Sequence, residues 1–356
     1  MSLHLRHTVV AGLAAATILM SGLTACGSSG SGDSGATATT APRGTVAAQD
    51  VPVAASAGCT ATPVIPPGQT KVPFTSGTDT AYYFRNVPPA PVAPTPAPMV
   101  IDLHGWGEGA ELQTKTSNFG TLGDTKGFVT ITPQAPNAEG VFDAKLGSTA
   151  LTYLSAILDD VESTLCIDQN RVFVGGYSQG AIMSSSVACQ FADRVAAVAT
   201  IDGITTPDGC DPARPVPVVA FHGTDDPFVG YTGLVGEKAL GLKAPDGSGR
   251  TLAEAGVKAD TRMGPPVPDV AAAWATRNGC EATPPTETPI PPDVTKLSFS
   301  CPAGTEVVLY RVNGGGHAWP GSEFTKSIGS MVGPTTFTIN ATDLAWQFFA
   351  DHPKEG

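Results

Sequence analysis

A serine sits between two glycine-bearing flanks in Gly176-Tyr177-Ser178-Gln179-Gly180, the G-x-S-x-G spacing. The pattern is short and matches many glycine-rich turns, so its surroundings decide its meaning. It follows an apolar run, Arg171 to Gly175, that reads as a strand, and it opens a helical stretch from Gln179 to Gln190. A sharp strand–turn–helix elbow needs small residues on both sides of the nucleophile. Such an elbow lifts the hydroxyl out of the sheet and aims the next backbone N–H at the same point. The chemistry this permits is acyl transfer through a covalent serine intermediate. A serine hydroxyl is a weak nucleophile and needs a base, normally histidine.

Of six histidines, His4 and His7 belong to the N-terminal stretch, which leaves His104, His222, His317 and His352. His352 lies four residues from the end and is expected to be mobile. His104 and His222 each close an apolar run and precede glycine, which fits loop shaping. His317 stands in Asn313-Gly314-Gly315-Gly316-His317-Ala318-Trp319-Pro320, just past the last expected strand, where glycines free the loop to carry an imidazole over the serine. The order nucleophile, acid, histidine is that of α/β-hydrolases, and by order and elimination His317 is the base. The acid should precede it on a late strand and fix the ring tautomer. His222-Gly223-Thr224-Asp225-Asp226-Pro227 offers Asp226 first and Asp225 second, with Asp202 a third candidate. An oxyanion hole needs two N–H donors. Gln179 supplies one, and the Trp106 amide in Leu103-His104-Gly105-Trp106-Gly107 supplies the other. Tyr177 and Trp319 are candidates for a substrate-binding wall, or for ordinary packing.

The elements that must hold these groups are legible as apolar runs. Ala81–Val87, Met99–His104, Gly127–Thr132, Arg171–Gly175, Val195–Ile201, Val216–Phe221 and Val307–Val312 read as strands. Helices are expected through Leu151, Leu154, Leu158, Val161 and Leu165, over Gln179–Gln190, over Asp269–Arg277 and over Ala341–Phe349, with Thr342 as cap of the last. Strands buried on both faces and separated by helices predict one three-layer α/β domain with a mostly parallel sheet, over residues 58–352. Residues 230–268 lack periodicity and read as a lid, a binding wall or a disordered insertion.

The first 25 residues read as a lipoprotein signal: a positive start, an apolar run from Thr8 to Met20 too short to span a bilayer, then Leu23-Thr24-Ala25-Cys26. Cys26 is the expected lipidation site, and the Gly/Ser/Ala/Thr-rich stretch 26–57 a flexible tether. The chain is thus expected to be exported and held at the cell envelope by its lipid. Six further cysteines allow up to three disulfides. Cys280 and Cys301, which flank a proline-rich segment, are one expected pair; the pairing of Cys59, Cys166, Cys189 and Cys210 stays open. No C-x-x-C, H-E-x-x-H or clustered ligand spacing points to a metal, and no cofactor is expected. Twenty basic against 32 acidic residues, net −12, with no basic tract, argue against a nucleic-acid partner.

Taken together the motifs resemble the polyhydroxybutyrate-depolymerase-like esterases, a family that includes feruloyl and acetyl-xylan esterases. The shared pieces are the His-Gly loop at 104–107, Cys-Ile-Asp with Arg-Val at 166–172, the elbow at 176–180 and Ala-Cys at 188–189. They continue with Phe-His-Gly-Thr-x-Asp-Pro at 221–227, Trp-Ala-x-Arg-Asn-Gly-Cys at 274–280 and Gly-Gly-Gly-His-x-Trp-Pro-Gly at 314–321. The resemblance spans about residues 80–350. It implies an α/β-hydrolase fold, Ser178 as nucleophile, Asp226 as acid, His317 as base, and a small-molecule or oligomeric ester as substrate. The family often has a second glycine after the elbow where this chain has Ala181, and segment 230–268 is longer than usual. A serine peptidase on the same fold and a non-catalytic surface lipoprotein are the alternatives.

Overall fold

The computed structural model describes residues 51–61, 65–89 and 95–354. The expected signal sequence, Cys26 and nearly all of the expected tether lie outside the described residues. The strands are β1 (Gly68–Ser76), β2 (Asp79–Val87), β3 (Ala97–Leu103), β4 (Val129–Pro133), β5 (Ile167–Tyr177), β6 (Ala197–Ile201), β7 (Val218–Gly223), β8 (Thr286–Ile290), β9 (Val294–Ser298) and β10 (Val307–Val312). The helices are α1 (Ala110–Ser117), α2 (Phe119–Lys126), α3 (Thr149–Thr164), α4 (Gln179–Gln190), α5 (Val267–Arg277), α6 (Glu323–Ser327), α7 (Gly329–Val332) and α8 (Ala341–Asp351).

Among the described residues, all ten strands form one sheet in the order β1-β2-β4-β3-β5-β6-β7-β10-β9-β8. The six strands from β4 to β10 in that order run parallel, and antiparallel pairs flank them on both sides. This is the expected mostly parallel three-layer architecture. The two faces follow from the strand period of two. Val172 and Val174 of β5 face one core with Met99, Ile101, Val218 and Ala220; α3, α4 and α5 cover it through Leu154, Met183 and Trp274. Phe173, Val100, Val219 and Phe221 face the other core, which α2 and α8 cover through Phe119, Ala345 and Phe349. Each large apolar side chain fully buried this way contributes about 1.5–3 kcal/mol.

The strands and helices that the apolar periodicity predicts are all present. Others arise where periodicity is silent. Strands β1 and β8 lie at the two edges of the sheet. Each carries a proline, Pro73 and Pro289, which an edge strand tolerates because one side needs no ladder donor. Helices α1 and α2 are short and weakly amphipathic, and α2 contains two glycines.

Three local expectations need correction. Residues 51–57 do not belong to a tether: Ala54 N–H donates to Asp168 Oδ1 (3.0 Å), Ser56 N–H to Ile167 O (2.9 Å) and Ser56 Oγ to Leu165 O (2.8 Å). His352 is not mobile; it is buried, with Nδ1 2.6 Å from Phe348 O and Nε2 2.7 Å from Glu306 Oε2. The cap of α8 is Asn340, whose side chain accepts from Asp343 N–H at 3.1 Å, rather than Thr342. Thr342 is already helical, and its hydroxyl donates to Ser117 O and accepts from Trp319.

Cysteines pair as Cys59–Cys166, Cys189–Cys210 and Cys280–Cys301, the last as expected. The first closes 107 residues and the other two 21 each. In the chain-entropy account, longer loops constrain the unfolded state more, giving about 5 kcal/mol for the first bridge and about 3 kcal/mol for each of the others. Paired Cys→Ser variants compared by denaturant unfolding should therefore rank Cys59/Cys166 as the costlier loss. An equal or smaller loss than for Cys280/Cys301 would refute that ranking.

Candidate active site

Every candidate group stands at the carboxyl end of a parallel strand, where α/β sheets gather their ligand-binding loops. Ser178 follows β5 with φ +55° and ψ −118°, a left-handed backbone that non-glycine residues rarely adopt. The strain is held from three sides. Ser178 N–H donates to Ile201 O at 2.8 Å. A methyl on Gly176 would meet Gly180 O at 2.2 Å, and one on Gly180 would meet Leu103 O at 2.2 Å. Only glycine lets α4 seat this close to β3 and β5. Ala181 is fully buried beside the elbow, so the departure from a second glycine is accommodated.

His317 follows β10. Its N–H donates to Val332 O (2.7 Å) and its carbonyl accepts the Tyr177 hydroxyl (2.5 Å). His317 Nδ1 lies 2.7 Å from Asp226 Oδ2. Asp226 Oδ1 accepts from Phe228 N–H (2.8 Å) and Val229 N–H (2.9 Å), which orients the carboxylate. Of the acids offered by the sequence, the imidazole thus meets Asp226. Asp225 is exposed and accepts only from its neighbour Thr224 (3.2 Å). Burial pushes the Asp226 carboxyl up, but the charge of His317 and the hydrogen bond from His222 outweigh it, and the net shift is well down. For His317 burial pulls down, the Asp226 charge and hydrogen bond pull up harder, and the net shift is up.

The loop after β3 crosses the nucleophile: a methyl on Gly105 would lie 3.3 Å from Ser178 Cβ. Gly105 N–H goes to Glu108 Oε2 (2.9 Å), Gly107 N–H to Gly140 O (3.0 Å) and Glu108 N–H to Gly105 O (3.2 Å), so of the four amides at 105–108 Trp106 N–H is the one without an acceptor among the described residues. Gln179 N–H belongs to the first turn of α4, whose leading amides have no intrahelical acceptor. Its side chain is used elsewhere, clasping the Phe142 backbone with both oxygen and nitrogen. His104 shapes the loop as expected. Its Nδ1 lies 2.7 Å from Gly105 O, and its Nε2 accepts from Ala135 N–H at 3.0 Å; burial lowers it to about 4, so it stays neutral.

Ser178, His317, Tyr177 and Trp106 face one cleft of about 320 Å³. Its walls are mainly apolar, with Leu112, Phe228, Phe324 and Met331 around the serine. Segment 230–268 supplies Leu242 to this wall. The segment is ordered by contacts rather than periodicity: Lys238 N–H donates to Pro227 O (3.0 Å), and Lys238 Nζ donates to Ser330 O and Met331 O (2.7 Å each). At this point the segment lines the cleft. Trp319 needs correction: its indole is fully buried, donates to Thr342 Oγ1 (2.9 Å) and packs edge-on against Phe119, so it is core and not substrate-binding. A polar cavity of about 370 Å³ beside α1, α2 and α8 contains none of the candidate groups.

Glu108 was not singled out by the sequence, having no spacing relation to the serine. In the structure its carboxylate takes Gly105 N–H at Oε2 and the Thr116 hydroxyl at Oε1 (2.7 Å), pinning the loop over the cleft. The only sequence signal was an acid two residues beyond the glycine-flanked Trp106.

Comparison with known proteins bears on this site. A family model described as "Phospholipase/Carboxylesterase" matches residues 131–239, which include the elbow and Asp226. The chain is 28% identical over 335 residues to "Putative esterase NocK" of Nocardia uniformis subsp. tsuyamanensis, covering 88% of this chain and 90% of that one. It is 31% identical over 170 residues to "Feruloyl esterase B" of Piromyces equi, covering 45% of this chain and 27% of that protein's length. Among solved structures, an acetyl xylan esterase from Aspergillus awamori superposes with a TM-score of 0.52 at 15% identity, covering 74% of this chain and 98% of that one. At that identity the likeness is one of fold.

Proposed function

We propose that this chain, an α/β-hydrolase by fold, is a serine esterase that cleaves carboxylic esters through Ser178, His317 and Asp226. The observation that carries the reading is the Asp226–His317 contact of 2.7 Å facing the same cleft as a strained, elbow-borne serine. In the proposed reaction His317 takes the Ser178 proton as the oxygen attacks the ester carbonyl. Asp226 holds the imidazole in the tautomer that presents Nε2 and stabilises the imidazolium. The N–H groups of Trp106 and Gln179 receive the developing oxyanion. The alcohol leaves with the proton from His317, and water, activated by the same imidazole, releases the acid.

The apolar walls favour esters with an uncharged, bulky acyl or aryl part over acetyl alone. Feruloyl and hydroxyalkanoate oligomer esters both fit this description. Purified protein from residue 48 onward should hydrolyse a panel of methyl ferulate, hydroxybutyrate dimer and p-nitrophenyl acyl esters. A preference for short acetyl esters would contradict the assignment of the cleft. Cleavage of aminoacyl anilides with inertness to esters would favour a peptidase.

The net upward shift of His317 sets a pH expectation. The base works only when neutral, so kcat/KM should rise with pH through a midpoint above the ordinary histidine value of about 6.5 and level off on the alkaline side. A midpoint below 6 would contradict the Asp226–His317 pairing.

Export with a lipid at Cys26 belongs to the same proposal. Three disulfides suit an oxidising compartment, and the lipobox-like Leu23–Cys26 supplies the anchor. Cys26→Ala should release the protein from the membrane fraction; unchanged retention would argue against the anchor.

A further inference from the structure

We infer that Asp202 and His222 hold one proton behind the Asp226 carboxylate and thereby set the basicity of His317. The inference rests on the triad reading above. Asp202 is the first residue past β6 and stands at φ +54°. Its N–H donates to Phe221 O (2.9 Å) and its Oδ1 accepts from Gly223 N–H (3.1 Å), fastening it across the end of β7. Its Oδ2 is buried with no partner. An oxygen of Asp202, an oxygen of Asp226 and a ring nitrogen of His317 lie within 4.8 Å of one another.

His222 completes the group. Its Nε2 is 2.7 Å from Val229 O and 3.3 Å from Asp226 Oδ2. A carbonyl only accepts, so Nε2 carries the proton and the neutral ring has a bare lone pair on Nδ1. That atom, too, is buried without a partner. Two unsatisfied atoms, one carboxylate oxygen and one imidazole nitrogen, are therefore buried on the two residues that lie against Asp226, where such groups normally find a partner. A single proton on either of them leaves the cluster with one net negative charge facing His317. Without that proton there are two, and like charges this close resist ionising together. In keeping with this, burial raises the Asp202 carboxyl to about 7, with His222 the largest opposing influence.

The other ionisable groups around His317 are spoken for. Tyr177, from the end of β5, donates to the His317 carbonyl, and Glu108, from the loop after β3, holds Gly105 N–H and Thr116. Asp202 and His222 are not part of the cleft wall, so both are positioning residues that act through Asp226 and His317.

The test is the titration of the His317 ring, followed by ¹⁵N NMR, in the parent and in Asp202→Asn and Asp202→Ala. Asn keeps the Oδ1 acceptor for Gly223 and removes the titrating carboxyl; Ala removes both. Both variants should reduce the His317 curve from two inflections to one, because the Asp202/His222 pair no longer gives up a proton while His317 titrates. The acid limb of kcat/KM should likewise become a single step, while only Ala lowers the melting temperature. If Asp202 merely caps β7, the parent curve is already a single step and neither variant changes its shape, and the inference is overturned. Should neither variant fold, the parent decides: a His317 curve with a second inflection from the Asp202/His222 step supports the inference, and a single-step curve overturns it. The NMR readout needs no turnover, so failure of the esterase reading remains separable from failure of this one.

Discussion

Ser178→Ala should abolish ester hydrolysis, with kcat falling on the order of 10⁶-fold while the fold and the cleft persist. Removing the hydroxyl removes the covalent route, and what remains is the modest rate enhancement from binding and the oxyanion donors. The backbone adds a second expected result. Ser178 is held at φ +55° against a Cβ that disfavours it. Ser178→Gly relieves that strain and should be more stable than Ser178→Ala by about 1 kcal/mol in denaturant unfolding, despite the flexibility of glycine. Residual activity above 1% in either variant, with label-free protein, would move the nucleophile elsewhere.

Asp226→Asn should cost about 10⁴-fold in kcat with little change in KM, and Asp225→Asn next to it should cost almost nothing. The contrast comes from geometry. Asp226 Oδ2 meets His317 Nδ1 at 2.7 Å, and its Oδ1 is fixed by two backbone donors. Asp225 sits in solvent beside Thr224. An amide at 226 offers the wrong partner to one side of the imidazole and favours the tautomer that cannot accept the serine proton. A comparable loss at 225, or none at 226, would contradict the assignment of the acid. If Asp202 substituted for Asp226, the loss in Asp226→Asn would shrink to less than 100-fold.

Much of this site was legible because its chemistry is written in local spacing. The G-x-S-x-G run between a strand and a helix places Ser178, and the glycine run before His317 places the imidazole at a strand end. The apolar runs of β3 to β7 and β10 announce a doubly covered sheet, because strands buried on both faces have no polar side. Asp226 over Asp225 was a preference that only the fold could test, since neighbouring residues in a turn point in different directions. Trp319 misled because an aromatic two residues from the base reads equally well as wall or core; the Pro320-Gly321 turn sends it inward toward Phe119. Glu108, His222 and Asp202 act through contacts between loops that the sheet brings together, and no one-dimensional spacing encodes those contacts. Segment 230–268 is held by backbone bonds within itself, such as Val235 N–H to Thr261 O and Leu252 N–H to Leu242 O, and by Pro227, Ser330 and Met331 outside it, none of which has a helical or strand period.

The central claim is that Ser178 is an activated nucleophile, and covalent capture tests it most directly. The protein would be treated with a fluorophosphonate, with and without a competing ester, and the modified peptide sequenced by mass spectrometry. The account predicts one adduct per chain, on Ser178, slowed by the ester and absent in Asp226→Asn on the same timescale. Stoichiometric labelling at another residue, or no labelling of folded protein that still hydrolyses esters, would contradict it.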